Sequence, residues 1–112
     1  MIHKGFTKED VRAAIAKCEM LPRYYILFAC YEEEQVDYYV DFITSLNIEN
    51  IQMLKRRGYF EITFKNGSFI FFTIVGTTIG LRTHEAYYDF MFDEDTVYEV
   101  IMPQVNMTYK GV

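Results

Sequence analysis

The sequence predicts an α/β fold, a small mixed sheet with a central β-hairpin (59–65, 68–75) flanked by two or three helices. Three observations lead to this prediction. An Asn-Gly pair lies between two apolar runs, which is a strong hairpin signal. The continuous apolar run 24–31 is typical of a strand covered on both faces. Segments with apolar residues at helical spacing lie on either side of that run, so the chain contains half of a βαβ unit.

The composition favours one compact domain that spans residues 1–112. Of the 112 residues, 51% are hydrophobic and 18% are aromatic, which is enough for a core without disulfides or metal. The net charge of −5 lacks the basic footprint of phosphate-backbone binding, so direct nucleic-acid binding is disfavoured. Cys18 and Cys30 lie in apolar patterns typical of buried, reduced thiols. No signal peptide or membrane-spanning run is visible, which predicts a cytoplasmic protein with no membrane partner.

The first helix is predicted to begin after Thr7, which can cap it together with Asp10 three residues further on. Phe6 can pack across to Val11 as a hydrophobic staple. Pro22 ends the helix, because proline removes a backbone donor. The apolar positions recur at i, i+3, i+4 and i+7; they are Val11, Ala14, Ile15 and Cys18.

The second helix follows the apolar run 24–31, which we predict to be a central strand. Its first residues are Glu32, Glu33 and Glu34, which suit the positive end of a helix dipole. Its apolar face would contain Val36, Tyr39, Val40 and Ile43. Residues 48–58 are compatible with either a short strand or a short helix, which Gly58 would end.

Asn66 and Gly67 supply the two positive-φ residues that a two-residue type I′ hairpin turn requires. Such a turn pairs Phe64 with Phe69 and places one coherent apolar layer on a single sheet face; its members are Phe60, Ile62, Phe64, Phe69 and Phe71. After the hairpin, "GTTIGLRTHE" is predicted to be a loop and "AYYDFMF" another strand. A short helix that Pro103 limits should follow.

Three stretches then follow one another in a recognisable order: "EITFKNGSFIFF", "GTTIGLR" and "YYDFMFDE". They resemble the middle of the RecA-like ATPase domain of phage terminase large subunits. The resemblance extends over residues 7–100 through "RYYILFACYEEEQVDYYVDFI". It implies a RecA-like, phage-encoded fragment in which Asp93 is the Walker B aspartate that holds magnesium. Glu94 would be the catalytic glutamate that orients the attacking water.

The phosphate-binding loop of that family is missing from this sequence. The motif G-x-x-x-x-G-K-[ST] should precede the first helix. Instead "MIHKGFTK" stands there, with Lys4, Gly5 and Thr7 in the wrong order and no strand predicted ahead of them. The family's loop arginine normally precedes its glycine, whereas here Arg82 follows Gly80. Because two carboxylates alone cannot stabilise a phosphoryl transition state, we expect no ATPase activity and no cofactor for the chain on its own.

A metal-dependent nuclease is the alternative chemistry for the acidic segment. If the strand continued through it, alternation would put Asp89 and Asp93 on one face, with Asp95 following, a spacing that suits hard cations such as magnesium. The acidic composition argues against collecting a nucleic-acid substrate. His84 lies nearby in sequence, but no nucleophile in a recognisable setting accompanies it.

Two functions therefore remain open. The first is a non-catalytic protein-binding module on a degenerate terminase-like scaffold, which inhibits or regulates a nucleic-acid-processing factor of the host or phage. Such a domain would present carboxylates where phosphates would sit. The second is a subunit of a magnesium-dependent ATPase or nuclease, in which Asp93 and Glu94 act with a P-loop from another chain.

Two sets of residues are candidates for a protein interface. Tyr87 and Tyr88 belong to a tyrosine surplus, and tyrosine is enriched at interfaces; one tyrosine of each strand pair should face away from the other. The alternative for them is packing under the helices. Lys55, Arg56 and Arg57 form the basic cluster, either a solubilising loop or a contact for an acidic partner. A second copy of the chain is another candidate partner.

Overall fold

The computed structural model describes residues 1–75 and 81–110, which form one six-stranded mixed sheet with helices. The strands are β1 (Ile2–Lys4), β2 (Tyr25–Cys30), β3 (Ile51–Arg56), β4 (Tyr59–Phe64), β5 (Phe69–Ile74) and β6 (Glu85–Tyr88). The helices are α1 (Lys8–Met20), α2 (Glu33–Ser45) and α3 (Glu94–Thr96). A π-helical turn, Val97–Ile101, and a 3-10 turn, Met102–Gln104, continue α3. The α/β class and the central hairpin are thus confirmed.

The strand order is β1-β6-β2-β5-β4-β3. The first four strands in this order are parallel, and β4 and β3 complete the sheet in antiparallel pairing. β2 lies in the middle of the sheet, as its apolar run predicted, because it is flanked on both sides and faces a core on both surfaces. The parallel carboxyl ends of β1, β6 and β2 therefore share one edge of the sheet.

β1 corrects the expectation that no strand precedes the first helix. Ile2–Lys4 pairs in parallel with β6, and Gly5 N–H extends this pairing with a 2.6 Å hydrogen bond to the Tyr88 carbonyl. Gly5 has φ +77, a left-handed conformation that favours glycine, and turns the chain into α1. A strand of three residues has no periodicity to read, and it exists here through its pairing with β6.

α1 and α2 pack on one face of the sheet, which we call the helix face. Thr7 N–H donates to the Asp10 carboxylate at 2.8 Å, so the predicted cap is present. The buried positions of α1 are the four predicted ones. In α2 the buried positions are Val36, Tyr39, Phe42 and Ile43, with Val40 half-buried.

α2 leads not to a neighbour of β2 but to the far edge of the sheet. The ambiguous segment 48–58 forms β3 and the two-residue turn 57–58, where Gly58 has φ +68. β3 runs antiparallel to β4 from Ile51 opposite Phe64 to Arg56 opposite Tyr59. The second half of the sheet is therefore an antiparallel meander of β3, β4 and β5.

The register of the central hairpin differs by one residue from the prediction. Ile62 pairs with Ile70 and Phe60 with Phe72, and the loop has three residues, 65–67. Only Gly67 has positive φ (+86) there, the pattern of a turn closed by a glycine bulge rather than a type I′ turn. Asn66 instead donates its side-chain amide to the Cys18 carbonyl at 2.7 Å, which anchors the loop to the end of α1.

This one-residue shift exchanges the faces of β5. The layer under the helices contains Phe60, Ile62, Phe64, Ile70 and Phe72. Phe69 and Phe71 lie on the opposite face, which we call the second face, together with Leu27 and Ala86. Val97 and Ile101 of the C-terminal helical segment pack on Ala29 of the same face. The predicted single layer that contained both Phe69 and Phe71 is therefore wrong.

β6 is shorter than the predicted strand and ends at Tyr88, five residues before Asp93. Asp89 stops it, because its carboxylate accepts the Met91 N–H (2.9 Å) and its carbonyl accepts the Phe92 N–H (3.2 Å), which together form a turn. The helical segment that follows passes through Pro103 and ends at Gln104. Residues 76–80, the first half of the predicted loop 76–85, lie outside the described residues. Within the described part of the chain, no helix is long and apolar enough to cross a membrane.

Candidate functional site

The acidic segment 93–95 caps a helix and does not end a strand. Asp93 precedes α3, and its carboxylate accepts the Thr96 N–H at 2.7 Å. This hydrogen bond lowers the pKa of Asp93, which is fully exposed. Glu94 and Asp95 occupy the first turn of α3 and are also exposed. The expected Walker B geometry, an aspartate at the end of a buried strand, is therefore absent at Asp93.

The shared face expected for Asp89, Asp93 and Asp95 in a metal-binding nuclease required a continuous strand, which β6 does not provide. Asp89 receives hydrogen bonds from Gln35 Nε2 at 2.9 Å and from the Met91 backbone. Among residues 1–75 and 81–110, no group of three histidine, cysteine or acidic side chains is arranged to hold a metal ion. Asp89 thus serves the turn and Asp93 the helix cap.

A groove of about 380 Å³ lies where the carboxyl ends of β1 and β6 meet α3. Ligands of α/β proteins commonly bind outside the carboxyl ends of parallel strands. The groove has one basic and one acidic side chain, Lys4 and Glu94, and is otherwise apolar or aromatic. Its remaining lining residues are Ile2, Tyr88, Phe92, Val97, Tyr98 and Met102.

Large apolar side chains are exposed along this part of the chain. Phe90 is 67% exposed, Met91 56%, Tyr98 68% and Met102 39%. Four such residues within thirteen positions form what we call the 90–102 surface. Burial of these side chains would be favourable, so a partner that covered them would gain binding free energy.

The acidic side chains of the same segment form no ion pairs with basic side chains of the described residues. Asp93, Glu94, Asp95 and Glu99 are exposed, and within the described residues none of them forms an ion pair. The 90–102 surface thus combines apolar anchors with unpaired carboxylates. Comparison of the chain with protein-family models, curated proteins and solved structures found no match. Its own geometry therefore carries the functional argument.

A second polar cluster surrounds Glu85, a carboxylate with 3% side-chain exposure at the start of β6. Its Oε1 accepts hydrogen bonds from Lys17 Nζ and Tyr24 OH, both at 2.9 Å, and its Oε2 lies 2.6 Å from His3 Nε2. Burial raises the pKa of Glu85, but the hydrogen bonds from Lys17, His3 and Tyr24 outweigh this and hold the pKa below its ordinary value. The cluster connects β1, α1 and β6 by side-chain hydrogen bonds, so we expect it to stabilise the fold.

The two candidate tyrosines face opposite sides of β6, as expected for consecutive strand residues. Tyr87 lies on the helix face, stacked on Phe28 at 4.8 Å and on His3 at 4.3 Å. Tyr88 lies on the second face, packs beside Val97 and Ile101, and lines the groove. Of the pair, Tyr88 is the one placed at the candidate site.

The basic triplet lies far from the acidic segment, at the end of β3 and in the following turn. Lys55 Nζ lies 3.2 Å from the Asp37 carboxylate, and Arg57 Nε lies 3.1 Å from that of Glu33. Both ion pairs connect β3 and the turn after it to α2. They are exposed, so each contributes little to stability. Arg56 is exposed and has no ion pair within the described residues.

His84, Cys18 and Cys30 are buried and make their contacts within the fold. His84 Nδ1 accepts the Tyr25 N–H at 3.0 Å, and its ring stacks on Tyr24. Burial lowers the pKa of His84. Cys18 and Cys30 are buried free thiols, as predicted, and burial raises the pKa of Cys18 to about 12.

Sequence reasoning did not identify the exposed apolar residues of the 90–102 surface or the Glu85 cluster. Phe90 and Met91 were assigned to a strand, and the Asp89 turn that exposes them carries only a weak sequence signal. The signal for Glu85 was a single acid directly before the apolar run 86–88. Its three partners come from residues 3, 17 and 24, so only the fold brings them together.

Proposed function

We propose that this protein is a non-catalytic protein-binding module that uses the 90–102 surface to occupy another protein. The observation that supports it best is the exposure of four large apolar side chains, Phe90, Met91, Tyr98 and Met102. Tyr98 and Met102 also line the groove at the carboxyl edge of the sheet. Apolar and aromatic anchors of this kind supply most of the binding energy at protein interfaces. The scaffold would be a degenerate, phage-encoded relative of the terminase ATPase domain.

The proposed partner is a nucleic-acid-processing protein of the host or the phage. Its phosphate-binding surface would be basic, and the unpaired carboxylates Asp93, Glu94, Asp95 and Glu99 would complement it. The apolar side chains beside them would add affinity that phosphate mimicry alone does not give. The module would then inhibit its partner by competing with nucleic acid.

The magnesium-dependent alternative has one observation in its favour. β1, Gly5 and α1 form a strand, turn and helix where the resemblance would place a phosphate-binding loop. Against it, Asp93 is tied to Thr96 as a helix cap. We therefore keep binding as the function and treat nucleotide chemistry as its competitor.

The proposal is tested by affinity capture from bacterial lysate with two matched double variants. Met91→Ser with Tyr98→Ser changes one exposed methionine and one exposed tyrosine of the proposed surface. The control, Met20→Ser with Tyr38→Ser, changes the same residue types on α1 and α2, where they are 78% and 50% exposed. Quantitative mass spectrometry should show that proteins captured by wild type fall by about tenfold with the first variant, the equivalent of roughly 1.4 kcal/mol, and hold with the control.

A second arm tests the partner's chemistry. Captured proteins should be released by added double-stranded DNA and weakened by Asp93→Asn with Glu94→Gln. Equal recovery by both double variants would contradict the proposed surface. Recovery that depends on the surface but resists DNA would keep the binding function and reject the nucleic-acid-processing partner.

A further inference from the structure

The outer edge of β3 is an unpaired strand edge at the opposite end of the sheet from the groove. Within the described residues only β4 pairs with β3. The strand is six residues long, and its central Met53 and Leu54 are 49% and 42% exposed. An edge of this length with exposed apolar residues is a template for pairing with another strand.

The hydrogen-bonding groups on that edge follow from the hairpin geometry. β3 and β4 are joined by the two-residue turn 57–58, so Arg56 and Tyr59 face each other as the hydrogen-bonded pair that closes the turn. Inward and outward bonding then alternate along β3. The backbone N–H and C=O groups of Lys55, Met53 and Ile51 therefore point away from the sheet.

We propose that β3 pairs antiparallel with β3 of a second copy and joins two sheets into one of twelve strands. A two-fold axis perpendicular to the sheet keeps the helix faces on the same side, so facing residues must belong to the same face. Met53 lies opposite Ile62 and Leu54 opposite Glu61, on different faces, which excludes Met53 facing Leu54. The register that uses all outward groups places Met53 opposite the partner's Met53, and Lys55 opposite the partner's Ile51.

Charge favours this antiparallel arrangement over a parallel one. The chain enters β3 through the exposed Glu49 and leaves it through Lys55, Arg56 and Arg57. Antiparallel pairing brings the basic end of one copy to the acidic end of the other, whereas parallel pairing would set basic end against basic end. Within the described residues neither Glu49 nor Arg56 has an ion pair, so both are free to interact across the two-fold axis.

The oligomeric state is tested by sedimentation equilibrium over a wide range of concentrations. Wild type should shift from monomer to dimer as concentration rises. Met53→Lys would set two lysines face to face on the two-fold axis and should weaken dimerisation by about tenfold or more. The matched control, Met20→Lys, makes the same change at a 78% exposed position on α1 and should dimerise like wild type.

Proline substitution separates loss of pairing from loss of fold. Met53→Pro removes an outward N–H and should give a folded monomer with a normal circular dichroism spectrum. Leu54→Pro removes an inward N–H and should disrupt the β3–β4 hairpin itself. A wild type that stays monomeric at all concentrations, or dimers that survive both Met53→Lys and Met53→Pro, would overturn the inference.

Cysteine crosslinking tests the register. Facing residues of a hydrogen-bonded antiparallel pair have Cα atoms about 5.5 Å apart, within disulfide range. Met53→Cys should therefore form a crosslinked dimer rapidly under mild oxidation. Leu54→Cys should not, because Leu54 faces the partner's Gln52, and both native cysteines are buried. Crosslinking that favours Leu54→Cys would contradict the register. This experiment tests β3 pairing alone, so its outcome does not depend on the proposed 90–102 surface.

Discussion

Phe28→Ala is expected to lower the free energy of unfolding by about 3–5 kcal/mol, the range for large aromatic truncations in cores. Phe28 is fully buried in β2 and lies between the rings of Phe72 (4.7 Å) and Tyr87 (4.8 Å), with Phe6 at its edge (5.0 Å). The loss would be a large part of the roughly 5–15 kcal/mol that stabilises a typical domain. Urea unfolding followed by circular dichroism measures it.

The matched control for that experiment is Phe90→Ala. Phe90 is 67% exposed, so the same substitution should change the free energy of unfolding by less than about 0.5 kcal/mol. Equal destabilisation by the two substitutions would contradict the placement of Phe28 in the core and of Phe90 on the surface. A stable Phe90→Ala protein would also be the natural reagent for binding studies.

Glu85→Ala is the second large effect, with an expected loss of about 2–3 kcal/mol at neutral pH, because the buried Tyr24 hydroxyl loses its acceptor whereas the Lys17 side chain, 35% exposed, can be hydrated. The substitution leaves Lys17 and Tyr24 without their shared acceptor and His3 without its partner. The matched control is Glu99→Ala. Glu99 is exposed, so its substitution should leave the free energy of unfolding nearly unchanged. Similar losses of unfolding free energy for the two glutamate substitutions would contradict the stabilising role of the Glu85 cluster.

The contribution of Glu85 should depend on pH. Its folded-state pKa is held below the ordinary value, so its stabilisation is fully present above the unfolded pKa of about 4.3 and disappears as pH falls through the folded pKa. The stability difference between wild type and Glu85→Gln should therefore shrink when urea titrations are repeated from pH 7 down to pH 3. A difference that stayed constant over this range would contradict the ionised cluster.

The elements with regular periodicity were predictable from sequence. The 3.6-residue spacing of apolar residues predicted the buried faces of α1 and α2, and the continuous apolar run predicted β2. β1 could not be predicted, because three residues carry no period and their pairing partner, β6, lies more than eighty positions away. Local sequence signals therefore located the long elements and missed the one that depends on a distant contact.

The hairpin register shows a tertiary contact prevailing over a local preference. Asn66-Gly67 favours a two-residue turn, but the Asn66 side chain bonds to the Cys18 and Glu19 carbonyls at the end of α1. The loop has three residues, 65–67, and the pairing of β5 is shifted by one position relative to a two-residue turn. Nothing local to residues 59–75 encodes that bond.

At the candidate site, the acids were found from sequence but their setting was not. The assignment of Asp93 to a strand end ignored the turn-forming tendency of Asp89, which ends β6 early and creates the exposed Phe90 and Met91. The apolar part of the 90–102 surface was hidden because exposure is a property of packing. Hydrophobic residues in a sequence look the same whether they are buried or exposed.

The most direct measurement of the central claim, that the proposed binding module performs no nucleotide chemistry, is calorimetric titration with magnesium and ATP. We predict no saturable heat, since Asp93 is engaged as a helix cap and the loop before α1 lacks the P-loop sequence. Saturable binding of magnesium and ATP would contradict this prediction, and its loss in Asp93→Asn with Glu94→Gln would assign it to the acidic segment. The protein would then be a nucleotide-binding subunit, with a phosphate site to be sought between Lys4 and Thr7.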